Sequence, residues 1–319
     1  MRAKKFGKIA IAGAALLLVF GIYVGAAAKE KFEAKFDKVE SLDKDGKVIV
    51  ANISGKIDIK SWDQAQVKIN AFKVSEAKTL EKAKENIDKV TIEVNKTGNI
   101  LRIETKYPEQ RFRRDDDFSV RVDYEIWIPD KAGAKIRCVS GNVSVENIGG
   151  PLEGDVTSGN LVVVKAGKGV DFKIISGTTE LRDIAGDVNL KVVSGNLTVE
   201  KITGSFEAES TSGNIKVRDI SGTKSFRAKV LSGNITYEGQ IIKDGKYDME
   251  AMSGGIELRI PADSAFDLEA EAFSGHIESD FAVTMSGRIS KNDLRGVVNG
   301  GGASVHLKTF SGSVRIFKR

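Results

Sequence analysis

The chain is organised around the stretch from Val139 to Gly275, whose centre, residues 170–220, reads VDFKIISGTTELRDIAGDVNLKVVSGNLTVEKITGSFEAESTSGNIKVRDI. The tripeptide Ser-Gly-Asn, or a near variant, returns along this stretch at intervals of 18, 18, 18, 18, 20, 21 and 21 residues. Its copies begin at Ser140, Ser158, Ser176, Ser194, Ser212, Ser232, Ser253 and Ser274. A nearly constant period of roughly 20 residues is typical of a solenoid, in which each repeat buries its apolar face against its neighbours.

Apolar and polar residues alternate on both sides of each tripeptide. Around Ser194, for example, Leu190 and Val192 precede the serine, and Leu197 and Val199 follow it three and five positions later. A period of two is the signature of a β-strand with one face toward the core. The pattern therefore predicts strands on both sides of every tripeptide.

A second glycine turn falls midway through each repeat, as at Thr203-Gly204 after Ile202. We therefore predict an all-β, β-helix-like solenoid whose coils of 18–21 residues contain at least two strands each. Successive coils would stack at about 4.8 Å, the spacing of hydrogen-bonded strands. The repeated Asn is expected to form a ladder along the stack, because its amide both donates and accepts and because Asn tolerates a left-handed turn.

Residues 1–28 have the composition of a secretory signal peptide or an N-terminal membrane anchor. Four basic residues, Arg2, Lys4, Lys5 and Lys8, precede the uncharged run from Ile9 to Ala28, which ends in three alanines. This is the pattern of a signal peptide, and about 20 apolar residues also suffice to span a bilayer. Cleavage after Ala28 and retention as an anchor both stay open, and in either case the rest of the chain is expected to be exported.

The formal charge changes once this segment is set aside. The whole chain carries +5, and the four basic residues among the first 28 leave a net charge of only +1 on the remainder. Nucleic acid is therefore not an expected partner, and membrane contact is expected only through residues 9–28 if they are retained. The single cysteine, Cys138, has the phase of an inward residue and precludes an intrachain disulfide.

Three regions follow from these patterns: residues 1–28, a β-rich N-terminal capping region at 29–135, and the repeat solenoid at 136–319. The capping region should contain one helix near 76–89, with Ser75 as its N-cap, and should cover the open end of the stack. It also contains an early coil pattern at Ser54-Gly55. The C-terminal region should contain a long insertion between Gly287 and Gly302 and a last coil pattern near Ser311.

These residues resemble a bacterial family of exported β-strand-repeat proteins labelled "putative adhesin", a domain of unknown function. The resemblance covers roughly residues 35 to 319 and is carried, besides the tripeptide repeat, by four segments: Ile53–Asp63, Val122–Pro129, Gly300–Ala303 and Thr309–Gly312. It implies a β-helix-like fold at the cell envelope. The family supplies no catalytic residues.

Candidate chemistry is sparse. The two histidines, His276 and His306, belong to no metal-binding spacing, and His276 stands where other coils have the ladder Asn. The charge run from Arg111 to Asp117 is interpreted as a solvated hairpin tip, with a calcium site as its alternative. We therefore predict no catalytic, cofactor-binding or metal-binding residues and no cofactor.

A polysaccharide-active β-helix enzyme would need converging carboxylates on one outer face. Outward acids recur at one coil position, but arginines alternate with them along the stack: Glu146, Arg182, Glu200, Arg218, Glu238 and Arg259. Such alternation is expected to neutralise neighbouring strands.

The predicted function is accordingly that of an exported, non-enzymatic envelope solenoid, a structural or adhesin-like interaction module whose partner is an envelope protein or a glycan. The alternatives are a polysaccharide-active enzyme and an envelope-stress or signalling component that binds a partner protein. The sequence specifies neither the oligomeric state nor the envelope compartment.

Overall fold

A computed structural model describes residues 21–22, 29–108, 118–285 and 292–319. The segments predicted as the signal sequence and the charged hairpin tip lie almost entirely outside the described residues, as does the start of the insertion at Gly287. Among the described residues, no helix is both long enough and apolar enough to cross a bilayer.

The described chain forms strands throughout, with a single short helix. The N-terminal elements are β1 Gly21–Ile22, β2 Glu30–Ser41, β3 Lys47–Ser54, β4 Ile57–Trp62, β5 Gln66–Ala77, α1 Leu80–Asp88, β6 Thr91–Thr97, β7 Ile100–Lys106 and β8 Val120–Pro129. The central strands are β9 Gly133–Ser140, β10 Val143–Ile148, β11 Leu152–Ser158, β12 Leu161–Ala166, β13 Val170–Ser176, β14 Thr179–Ile184, β15 Val188–Ser194, β16 Leu197–Ile202, β17 Phe206–Ser212, β18 Ile215–Ile220, β19 Ser225–Ser232 and β20 Ile235–Gly239. The C-terminal strands are β21 Lys246–Ser253, β22 Ile256–Ile260, β23 Phe266–Ser274, β24 Ile277–Ser279, β25 Thr284–Met285, β26 Asp293–Val298, β27 Ala303–Ser311 and β28 Val314–Lys318.

The strands form two long sheets, each with 14 strands in the described part of the chain. Sheet A has the order β1-β2-β5-β8-β4-β10-β12-β14-β16-β18-β20-β22-β28-β24, and sheet B has the order β25-β26-β23-β27-β21-β19-β17-β15-β13-β11-β9-β3-β7-β6. From β9 to β22 each coil therefore contributes one strand to each sheet. Equivalent residues of successive coils pair in parallel, as Leu197 does with Thr179 and Ile215. The predicted β-solenoid is confirmed.

The core lies between the two sheets and is filled by the inward residues of every coil. Phe172 and Ile174 in sheet B, and Leu197 and Val199 in sheet A, are at most 1% exposed. Cys138 is 2% exposed, which confirms its predicted inward phase. Removing this apolar surface from water is the main favourable term in folding, at about 25 cal/mol per Å² buried.

The tripeptide forms the corner between the two strands of a coil. The glycines of this corner lie in the left-handed region, with φ 138° at Gly195 and 139° at Gly177. A Cβ on Gly195 would lie 1.9 Å from the carbonyl oxygen of Gly177 on the preceding coil. Glycine is therefore required twice here, by the backbone angle and by the close approach of the next coil.

The asparagines beside these glycines form the predicted ladder, largely through the backbone. Asn214 Oδ1 accepts from the backbone N–H of Asn234 at 2.9 Å, and Asn234 Oδ1 accepts from the N–H of Gly255 at 2.7 Å. The Asn side chain thus satisfies a donor that the corner leaves unpaired. The left-handed residue of the corner is the glycine rather than the Asn.

The second turn of a coil uses non-glycine left-handed residues that sequence reasoning did not identify. They stand just before the last buried residue of the strand and have φ between 52° and 59°: Asn147, Lys165, Asp183, Lys201 and Asp219. In this region Asn and Asp are the best tolerated non-glycine residues. Each turns the backbone so that the Ile or Ala that follows it points into the core.

The predicted helix is shorter than expected, and its predicted N-cap is wrong. Helix α1 is Leu80–Asp88, and Thr79 caps it by accepting from the N–H of Lys82 at 3.2 Å. Ser75 lies inside β5, buried opposite Phe32 of β2. Pairing of β5 with β2 extends to Ala77, so the strand hydrogen bonds override the local capping pattern.

Both ends of the stack depart from sequence order. The early coil β3–β4 lies between β7–β8 and β9–β10, and β1, β2, β5 and β6 lie beyond it at this end of the two sheets. At the other end, the last coil of the sequence, β27–β28, is inserted between β21–β22 and β23–β24. The predicted insertion before Gly302 contains β26, which pairs antiparallel with β23.

The longer coils are closed by buried tyrosines. Tyr247 Oη accepts from the N–H of Ile242 at 2.9 Å and donates to the carbonyl of Thr223 at 2.7 Å. Tyr237 Oη donates to the carbonyl of Gln240 at 2.7 Å. These hydroxyl groups satisfy backbone atoms of the inserted loops, while the rings pack in the core.

We expect Gly195→Val to destabilise the protein far more than Glu200→Lys. Valine at Gly195 combines an unfavourable φ with a clash against backbone, which together cost roughly 3 kcal/mol or more. Glu200→Lys removes an exposed ion pair with Arg182 at 3.9 Å, where such pairs contribute about 0–1 kcal/mol. Thermal denaturation of both variants measures the difference.

Gly222→Ala is the control for the backbone angle, because Gly222 has φ 82° and no atom within 4 Å of its would-be Cβ. We expect it to cost only about 1 kcal/mol, the price of the backbone angle alone. Equal melting temperatures for Gly195→Val and Glu200→Lys would show that the close approach of the coils is not limiting.

Candidate interaction surface

The outer face of sheet A is covered by alternating charges. Lys60 Nζ lies 3.4 Å from Glu146, and the Arg182–Glu200 and Arg218–Glu238 pairs close at 3.9 and 4.0 Å. The predicted alternation of acids and arginines along this face is thus confirmed. Each of these acids faces a cation on a neighbouring coil, which is an arrangement that stabilises a sheet rather than one that activates a water or a sugar.

The outer face of sheet B carries an apolar strip instead. The strip consists of the residues that immediately precede the corner serines and stack along the solenoid axis in this order: Ile53, Val139, Thr157, Ile175, Val193, Thr211, Leu231, Met252, Phe310 and Phe273. The residues on either side of each member pair in register with those of the next coil, so the strip is continuous.

Exposed apolar surface is concentrated in this strip. Of the eleven large exposed hydrophobic side chains in the described residues, eight belong to the strip and three, Val39, Ile100 and Val297, lie elsewhere. Phe273 is 73% exposed, and its ring stacks on that of Phe310 at 4.7 Å and 7°. Single exposed hydrophobic residues are ordinary, but a contiguous exposed row marks an interaction site.

Between Val193 and Phe273 the strip lines a groove of about 960 Å³. A column of charged side chains two residues before the strip lines the groove: Lys191, Glu209, Lys229, Glu250, Lys308 and Glu271. Lys229 and Glu250 pair at 2.7 Å, and Lys308 and Glu271 pair at 3.2 Å. An apolar floor beside paired charges is suited to a macromolecular contact.

One carboxyl group of the groove, that of Glu271, has a shifted pKa. The hydrogen bond from Lys308, aided by nearby Arg295, keeps the pKa of the Glu271 carboxyl below its ordinary value. A lowered pKa keeps this carboxylate charged at pH values at which an ordinary Glu would already be protonated, and the ion pair is lost only as the pH falls through the lowered value. The ion pair between Glu271 and Lys308 is therefore present at neutral pH.

Three ligand-type side chains meet on the same face. One ligand atom from each of Asp248, Glu250 and His306 lies within 4.8 Å of the others, with His306 Nδ1 3.1 Å from Asp248. Glu250 already binds Lys229, and Asp248 lies 3.8 Å from Arg227. The negative charges of Asp248 and Glu250 are thus balanced by the side chains of Arg227 and Lys229.

The other residues considered from the sequence have local partners. His276 contacts Ser313 Oγ through Nδ1 at 3.1 Å and Glu278 through Nε2 at 3.0 Å, at the end of the Asn ladder. Burial raises the pKa of the Cys138 thiol to about 11, which disfavours the thiolate that a nucleophile requires. The two tryptophans of sheet A, which the sequence analysis does not single out, are also engaged: Trp62 Nε1 donates to the carbonyl of Gln66 at 2.7 Å, and Lys68 lies over the Trp127 ring.

Sequence reasoning missed the apolar strip, although a signal was present. In several coils two apolar residues stand in succession before the serine, which breaks the period of two: Ile174-Ile175, Val192-Val193, Val230-Leu231, Ala251-Met252 and Ala272-Phe273. Successive side chains of a strand point to opposite faces. The second member of each doublet therefore had to lie outside.

Residues 47–317 match the model of a family described as Toastrack DUF4097. The chain belongs to this family. The match includes both the early coil β3–β4 and the last coil β27–β28, so the two out-of-order coils are part of the Toastrack region. No curated protein matches the chain.

Three crystal structures resemble this Toastrack chain at low identity. They are a "putative cell adhesion protein" from Clostridium sporogenes (12% identity, 89% of this chain and 100% of the other, TM-score 0.27), a "putative adhesin" from Bacteroides fragilis (14%, 88% and 96%, TM-score 0.37) and a "putative adhesin" from Parabacteroides distasonis (13%, 88% and 96%, TM-score 0.40). At these identities and TM-scores the three structures identify neither a ligand nor a partner for this chain.

Two adjacent residues of β19 test the placement of the strip. We expect Leu231→Ser, at a side chain that is 53% exposed, to change the free energy of unfolding of dilute protein by less than about 0.5 kcal/mol. Val230→Ser, at a side chain that is 3% exposed, should cost roughly 2–4 kcal/mol, because it removes core surface and buries a hydroxyl group. Urea denaturation compares the two variants. An equal loss from both would place Leu231 in the core.

Proposed function

We propose that this chain is an exported, non-enzymatic module of the cell envelope that acts by binding, in a structural or adhesin-like role, and that the apolar strip of sheet B is its contact surface. The observation that carries this proposal is the concentration of exposed hydrophobic side chains in one continuous row. Water-exposed apolar rows are costly to maintain in a soluble fold, so a covering partner is expected.

Export is supported by the composition of residues 1–28. The basic residues before Ile9 and the apolar run up to Ala28 have the form of a signal peptide or an anchor. Membership in the Toastrack family supports the fold and adds no separate argument for export, since the family is named as a domain of unknown function.

The binding role is favoured over polysaccharide cleavage by the way the outward acids are held. Glu200 stands between Arg182 and Arg218 in register, and Glu238 stands between Arg218 and Arg259. A glycosidase needs two carboxyl groups that face the same sugar, one of them protonated. Here each acid is paired with an arginine of a neighbouring strand instead.

Site-specific photo-cross-linking tests the contact surface. A photoreactive amino acid is placed at Val193, which is 50% exposed in the strip, or at Val164 on the outer face of sheet A, in cells that express the full chain. We expect irradiation to yield a discrete higher-mass product from position 193 and not from position 164. Mass spectrometry of that product identifies the partner.

Val164 is the control because it is also a valine on an outward strand position, but it lies on sheet A and is half-buried. Equal products from both positions, or none from Val193, would refute the strip as the contact surface. A product that contains an oligosaccharide in place of protein would make the partner a glycan.

A further inference from the structure

The apolar strip is complementary to a second strip whose stack order runs in the opposite direction, and we propose that its partner is a second copy of this chain. In the proposed dimer the outer faces of the two B sheets meet with the solenoid axes antiparallel. The two-fold axis runs parallel to the strands and passes between β19 and β21. This inference rests on the proposed function, because it names the occupant of the same strip.

The side chains of the strip are graded in size about this axis. In stack order the deep part of the strip reads Val193, Thr211, Leu231, Met252, Phe310 and Phe273, with the smaller residues on one side of the axis and the larger on the other. The two-fold rotation sets Val193 against Phe273 of the second copy, Thr211 against Phe310 and Leu231 against Met252. Each large side chain thus faces a smaller one, as interdigitated packing requires.

The charged column beside the strip obeys the same symmetry. From β13 to β26 it reads Lys173, Lys191, Glu209, Lys229, Glu250, Lys308, Glu271 and Asp293, as fixed by the strand registers. Under the rotation Lys229 meets Glu250 of the second copy, and Lys191 meets its Glu271. The outermost pair, Lys173 and Asp293, is also of opposite sign, so every pair in this column is attractive.

A second charged column, two residues further from the strip, agrees. Arg227 meets Asp248 of the second copy, and Asp171 meets its Arg295. Glu207 meets His306, and the remaining pair joins a neutral Asn189 to Glu269. No pair in either column sets two charges of the same sign against each other.

Other registers lack this property. With the axis on a strand, Lys229 would face Lys229 of the second copy. If the axis is moved one coil toward the N-terminal end, Lys173 faces Lys308 of the second copy. If the axis is moved one coil the other way, Glu209 faces Asp293 of the second copy. Like charges held opposite each other across an interface disfavour a register, so the pattern selects one.

The contact area lies at the small end of the range for specific interfaces. Eight strands at about 4.8 Å and five residues at about 3.3 Å cover a patch of roughly 630 Å² on each copy, or about 1,300 Å² for the pair. Specific protein interfaces bury about 1,200–2,000 Å² in total.

Cysteine cross-linking measures the register. The double variant Val193→Cys with Phe273→Cys is expressed as the full chain, and cells are treated with a membrane-permeant bis-maleimide of about 10 Å reach, the spacing of packed sheets. Within one chain the two positions are five strands apart, about 24 Å, so the reagent cannot join them. In the dimer the two positions face each other, and we expect a covalent dimer linked between 193 and 273.

The two single variants are the controls, since either position lies about 24 Å from its own copy across the axis. The native Cys138 is 2% exposed, so we expect no product from it. We expect at least about tenfold less dimer from either single variant. Equal dimer from the singles, or none from the double variant, overturns the proposal. A product that joins the double variant to another protein overturns self-association and leaves the proposed function standing.

Charge exchange provides an independent test. Lys191→Glu or Glu271→Lys alone sets two like-charged pairs across the dimer, and each should reduce co-purification of two differently tagged copies roughly tenfold. Mixing one Lys191→Glu chain with one Glu271→Lys chain restores both pairs and should restore co-purification. Failure of the mixed pair to recover, with melting temperatures unchanged, also contradicts the proposed register.

Discussion

The close approach of glycine to glycine at the coil corner is the constraint on which the rest of the structure depends. From Gly141 onward, each corner glycine lies so near the carbonyl oxygen of the corner glycine on an adjacent coil that a Cβ would lie about 1.9–2.1 Å from it. That approach allows the strands of both sheets to keep hydrogen-bond spacing without a bulge at the corner. The side chain of the Asn that follows accepts a hydrogen bond from a backbone N–H group of the next coil. The corner therefore has both close backbone packing and a paired N–H group.

Because the corner fixes register, it also fixes what each outer face presents. Equivalent positions of successive coils line up along the solenoid axis. A residue type that recurs at one position therefore forms a continuous row on the surface. On sheet A the rows are ion pairs such as Arg182–Glu200, and on sheet B the row beside the corner is apolar. The two faces of one regular fold therefore differ in chemistry, and only sheet B offers a surface whose desolvation favours association.

The fold follows from the sequence to a large extent, and the surface much less. The serine spacing and the alternation around Ser194 specify coils, inward residues and turns because both are local and repeat many times. The insertion of β27 between β21 and β23 could not be predicted, since parallel pairing of coils is non-local and any coil pattern fits any slot. The N-cap at Ser75 failed for a similar reason, because the partner strand β2 is distant in sequence. The strip was visible in the sequence only as apolar doublets. The second residue of each doublet is overlooked when alternate residues are simply assigned as apolar and inward or polar and outward.

A repetitive stack poses a particular problem for specific association. If every coil carried the same outward residues, two copies could pair in any register, and the result would be an open series of contacts rather than one closed pair. Departure from perfect repetition is what selects a register. Along sheet B the departures are the change in size from Val193 to Phe273, the alternation from Lys191 to Glu271 and the antiparallel strand that contributes Asp293. These are also the coils in which the repeat lengthens and the C-terminal coil is inserted out of order. The irregular end of the solenoid is therefore the end whose surface best distinguishes one register of association from another.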